Sequence, residues 1–146
     1  MANFDKDAVL QALNEILELE LAGVVRYMHY SFMVFGPARL PIVQMMRQSA
    51  TESLAHAEQA GELITSLGGH PSLQIGALLE TEKHGVMEIL REALAHEHKA
   101  VEHYLKLNDL VKDRDIRLEE YARGMILKEQ IDMAEFEKML RHPDEH

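Results

Sequence analysis

The sequence contains no cysteine. That excludes disulfides and thiolate metal sites, and it fits a reducing, cytoplasmic compartment. Long hydrophobic runs are also missing. None approaches the roughly 18 apolar residues that a membrane-spanning helix needs. The first residues, MANFDKDAVLQ, lack the apolar core of a secretory signal. Positive charge is scarce: 15 Lys and Arg face 25 Asp and Glu, for a net charge of -10. Such a surface repels nucleic acid and anionic membrane and suits cations. β-branched residues are sparse, and no segment alternates in the manner of a strand.

What remains is a helical chain of 146 residues, 47% hydrophobic and 27% charged, which is the size and balance of one globular domain spanning 1–146. Four segments show helical periodicity, over about 5–35, 41–67, 81–112 and 115–140. Gly36 and Pro37 break the first from the second, Pro41 can open the second, Gly68 suits its end, and Pro143 lies beyond the fourth. The first and third connections are short and imply antiparallel hairpins. The middle connection, from Gly68 to Glu80, reaches roughly 43–47 Å when extended. The second helix is roughly 40 Å long. A crossover along the whole bundle is therefore feasible, and two hairpins joined that way make a ferritin-type four-helix bundle. An up-down-up-down bundle is the alternative.

The apolar stripes carry polar intruders. On the first helix Val9, Leu13, Leu17, Val24 and Tyr27 are interrupted by Glu20 and Ser31. On the second, Ile42, Met45, Ser49, Ala60 and Leu63 leave a middle filled by Glu52 and His56, four residues apart and on one face. On the third, Ile89, Ala93, Ala100 and Tyr104 flank Glu97; on the fourth, Leu118, Ala122, Met125 and Phe136 flank Glu129 and Asp132. Each intruder falls near the midpoint of its helix, and midpoints share one height whichever way the helices run. Six side chains should therefore meet in one layer. Five carboxylates cannot all stay ionised there without cations, because each desolvated, unpaired charge costs several kcal/mol. No Lys or Arg lies on the stripes at this level. Metal is the simplest neutraliser, and oxygen donors with one imidazole suit iron or manganese.

These residues resemble bacterioferritin, among the ferritin-like di-iron carboxylate proteins. The resemblance runs from about Phe4 to Leu140 and is carried by LELAGVVRY around Glu20, AHAEQAGELITSLGGHPSLQ from His56 onward, REALAHEH around Glu97 and MILKEQIDMAEFE around Glu129. It implies a site for two irons per chain at which Fe(II) is oxidised with dioxygen or peroxide, in iron handling or peroxide detoxification. Glu20, His56, Glu97 and Glu129 match the family's ligands and catalytic positions. Two positions depart. Ser53 stands where the family has a bridging Glu, with Glu52 one residue earlier as the nearest substitute, and Asp132 stands where the family has a second His. The family's haem-ligating Met is replaced by Leu54, so haem is not expected. The chain stops six residues past Leu140, without the family's short fifth helix. A homo-oligomer of at least two chains is expected. A mixed assembly with a bacterioferritin-like subunit is the alternative, this chain then being its catalytically degenerate structural member. Tyr27 and Tyr104 are candidate hydrogen-bond partners of the ligands. His96, His98 and His103 read as surface or access residues, and the nine Met as core filler.

Overall fold

The computed structural model describes residues 3–78 and 81–145. Four helices form in order: α1 (Lys6–Met33), α2 (Arg39–Ser66), α3 (Val86–Val111) and α4 (Ile116–Leu140). There is no strand among the described residues. No described helix is long and apolar enough to cross a membrane.

The caps follow from the sequence. Asp5 accepts a hydrogen bond from the Ala8 N–H at 3.1 Å, and Asp115 accepts one from the Leu118 N–H at 2.8 Å. Each such cap stabilises its helix by about 1 kcal/mol. α2 is closed off by Gly68, just past its C-cap Leu67, with φ +80°. The Gly68 N–H bonds the Thr65 carbonyl at 3.0 Å and the Gly69 N–H bonds the Ile64 carbonyl at 2.9 Å. This paired closure needs a left-handed residue, which glycine adopts without steric cost. Two boundaries differ from expectation. α2 begins at Arg39, so Pro41 lies in the first turn, where its missing N–H leaves no bond unmade. α3 begins at Val86 because Glu82 has φ +59° and Gly85 is extended at φ -62°, ψ 148°.

Two apolar clusters make the core. One joins Val9, Leu13 and Ile16 of α1 to Ala57, Ala60 and Ile64 of α2, Tyr104 and Leu107 of α3, and Leu118 and Ala122 of α4. The other joins Tyr27, Tyr30 and Val34 to Ile42 and Met46, to Ile89 and Leu90, and to Phe136. Each large side chain buried this way contributes about 1.5–3 kcal/mol. The pairing of helix halves fixes the directions. α1 and α2 are antiparallel, α3 and α4 are antiparallel, and α2 and α3 run the same way. The connection between α2 and α3 therefore travels the length of the bundle. It is fastened to α1 by the Gly76 N–H on the Glu18 carbonyl at 2.8 Å and by the Ser72 N–H on Asn14 Oδ1 at 2.8 Å.

The face that α2 buries is turned by one residue from the expected stripe. Ile42, Met46, Ala50, Ser53, Ala57, Ala60 and Ile64 are buried, while Met45, Ser49 and Leu63 are only half-buried. α2 lies close against α1 through small side chains, and small residues give a weak hydrophobic signal.

Candidate metal centre

Between the two apolar clusters lies a polar layer. Glu20 of α1 is 2% exposed, Glu97 of α3 is 6% and Glu129 of α4 is 3%. His56 of α2 is half-buried and points its Nδ1 inward, 3.2 Å from Glu20 Oε2 and 3.4 Å from Glu129 Oε1. Ligand atoms of Glu20, His56 and Glu129 all lie within 4.8 Å of one another, and so do those of Glu97, Glu129 and Asp132. Glu129 belongs to both groups. The layer is thus two triads that share one carboxylate.

Neighbouring side chains hold these groups. The Tyr27 hydroxyl donates to Glu97 Oε1. The Tyr104 hydroxyl lies by Glu20 and Tyr121, fully buried and without a hydrogen bond of ordinary geometry. Burial raises the Glu20 and Glu129 pKa values, the latter to about 7, although His56 pulls both down. Burial lowers the His56 pKa, but hydrogen bonds and charge from Glu129 and Glu20 outweigh it and lift the value to about 10. Without metal, then, an imidazolium offsets part of this triad's negative charge. The donors are carboxylate oxygens and one imidazole, a set that fits iron or manganese and supplies no soft ligand.

The structure brings Glu20, His56, Glu97, Glu129 and Asp132 together and leaves Glu52 outside both triads. Ser53, not Glu52, faces the bundle interior at 7% exposure. Glu52 turns toward α4, where its Oε2 lies 3.4 Å from Lys128 Nζ. Lys128 Nζ also lies 3.0 Å from Asp132 Oδ1. This corrects the expectation of a layer without a cation. Lys128 precedes Glu129 and sits off the stripe, but its long stem carries the ammonium across the helix surface. The signal was its spacing of four residues from Asp132. Partial desolvation lowers the Lys128 pKa, yet the Asp132 and Glu52 pairings outweigh it and leave the pKa raised. Burial likewise raises the Asp132 pKa against the pull of Lys128. Partly exposed ion pairs of this kind stabilise by only about 0–1 kcal/mol.

His96 is the second correction. It is 8% exposed, with its ring edge-on to Tyr27 at 5.8 Å between centroids. Burial, then the nearby positive charge of Arg26, lowers its pKa to about 4, so it is neutral. Its Nε2 and Ser53 Oγ both lie 2.9 Å from where a Gly23 side chain would begin. The absent side chain on α1 is what admits both groups. His98 is exposed and His103 half-buried, as surface residues should be.

Comparisons with known proteins agree with this fold. No curated protein sequence is similar enough to be matched. Among solved structures, a ferritin-like di-iron carboxylate protein from Bacillus anthracis superposes with TM-score 0.89 at 25% identity, covering 97% of this chain and 100% of that one. The bacterioferritin of Desulfovibrio desulfuricans, described with its di-iron site in different catalytic states, gives 0.81 at 25% identity, covering 92% and 79%. The dodecameric thioferritin of Bacteroides fragilis, a bacterioferritin-related protein, shares the fold with TM-score 0.84 at 18% identity, covering 94% and 86%. The family model of the ferritin-like domain matches residues 10–144, and the chain belongs to that family.

Proposed function

We propose that this chain binds two Fe(II) ions in the carboxylate layer and oxidises them with dioxygen or peroxide, for iron handling or peroxide detoxification. The observation that carries the reading is the pair of ligand triads meeting at Glu129, walled above and below by apolar clusters. Glu20 and His56 would hold one ion, Glu97 and Asp132 the other, and Glu129 would bridge them. Two Fe(II) ions together supply the two electrons that convert dioxygen and two protons to hydrogen peroxide. Where peroxide is the oxidant instead, two Fe(II) ions supply two electrons that, with two protons, convert one peroxide to two waters. The chain's own part is to gather and neutralise the ions, to hold Glu97 through Tyr27, and to release the His56 proton when its nitrogen becomes a ligand. Manganese is the alternative metal for the same donors. We further propose that the chain is cytoplasmic and works as a homo-oligomer. Phe32, Phe35 and Leu40, all exposed, offer apolar surface for self-association.

Glu97→Ala tests the reading. The variant should fold, because a buried carboxylate is removed, and its Fe(II) oxidation should drop to the protein-free rate. Wild-type rates in that variant would sink the assignment.

A second reading makes the chain a catalytically degenerate partner subunit of a bacterioferritin-like assembly. Its support is the serine in place of a bridging carboxylate, together with Asp132 already paired to Lys128. Native mass spectrometry of protein from its own host would then show mixed oligomers.

A further inference from the structure

α2 and α4 face each other across a groove that leads from solvent to Asp132, with Glu52 and Glu135 on its walls. Lys128 spans it. Its Nζ contacts Asp132 of its own helix at 3.0 Å and Glu52 of α2 at 3.4 Å. One of those carboxylates is a member of the Glu97, Glu129, Asp132 triad, and the other is a member of neither triad. The Glu20, His56, Glu129 triad has no such external cation among the described residues; His56 is itself one of its donors.

We propose that Lys128 is a built-in competitor for the second metal ion: it occupies Asp132, so the two subsites fill in order, Glu20/His56/Glu129 first and Glu97/Glu129/Asp132 only when Lys128 withdraws. The inference rests on the metal-centre reading above. An ammonium and a divalent cation repel one another, so each weakens the other's hold on Asp132. Lys128 is half exposed, on a flexible stem, and carries one charge against the metal's two. It gives way, and Glu52, one-third exposed, is where it goes. Glu52 is then a holding group for the displaced ammonium and not a ligand, which accounts for a carboxylate that sequence spacing placed with the metals. Lys128 keeps its proton throughout, and no bond is made or broken in the exchange. The consequence is a centre that becomes competent only when Fe(II) is plentiful enough to load both subsites, so that electrons leave in pairs.

The test is anaerobic titration of the metal-free full chain with Co(II), read by calorimetry and by visible absorption. Wild type should bind two equivalents in two classes. Lys128→Met keeps the length and removes the charge; it should tighten the second class by about tenfold or more and leave the first nearly unchanged. Lys128→Arg keeps the charge and should keep the wild-type gap. The rise in melting temperature with Co(II) should be larger in Lys128→Met than in wild type. Should that variant not fold, Lys128→Gln answers the same question. A second class unchanged by loss of the charge overturns the inference, as does wild-type binding with two equal affinities, and in either case the metal-centre reading stands. No Co(II) binding to wild type overturns both.

Discussion

Glu129 carries more of the site than any other side chain, because both triads close on it. Removing it should cost both classes of metal binding, whereas His56→Ala should cost the first class and spare the second. Tyr27 acts through Glu97, to which its hydroxyl donates. Tyr27→Phe should weaken the second class by about tenfold, the range typical of lost partners of metal ligands, and Co(II) titration measures it. The metal-free site also sets a pH dependence. His56 holds its proton with a folded pKa of about 10 against 6.5 unpaired. That stabilisation is complete below pH 6.5 and is lost as pH rises through 10. Glu129 moves from 4.5 to about 7, mainly by burial, so ionising it costs stability as pH rises across that interval. Both slopes have one sign. The melting temperature of metal-free protein should fall from pH 6 to pH 9, while the gain on adding Co(II) should grow, since metal displaces the His56 proton. A melting temperature that rises over this window contradicts the charge state assigned to His56.

Helices and their ends set where these side chains meet. Gly68 is in the left-handed region that ends α2, so Gly68→Ala should destabilise by about 1 kcal/mol. Gly124 sits inside α4, exposed, with open space where a side chain would go. Gly124→Ala should stabilise by up to about 1 kcal/mol. Urea unfolding of the two variants checks both signs. The four helices, the hairpins and the crossover were legible in the sequence because Gly68 and Pro37 punctuate strong periodicity and because the middle connection is long. The start of α3 was not, since residues 81–83 read as helical while Glu82 takes a left-handed turn. The phase of α2 was misread by one residue. Its buried face is made of Ala50, Ser53, Ala57 and Ala60, too small to stand out from the half-buried Met45 and Leu63. That single step decides that Ser53 faces inward and Glu52 outward. Lys128 and His96 escaped for related reasons: a long side chain reaches beyond its own stripe, and a glycine on another helix makes room that no spacing reveals.

At the scale of the molecule, two apolar clusters clamp an acidic layer that neither could solvate. The clusters supply the stability and the layer spends part of it, which is the usual balance at a site built for charge. A homo-oligomer should appear in light scattering as a mass above that of one chain; a monomer at all concentrations would remove that part of the proposal. We propose that the two triads work as one di-metal centre on Fe(II). The most direct measurement adds two equivalents of Fe(II) per chain in air and follows ferric absorbance for wild type, Glu129→Ala and a protein-free control. Wild type should oxidise Fe(II) fast and saturate near two irons per chain, and Glu129→Ala should run at the control rate. Wild-type oxidation no faster than the control, or oxidation unaffected by loss of Glu129, would contradict the proposal.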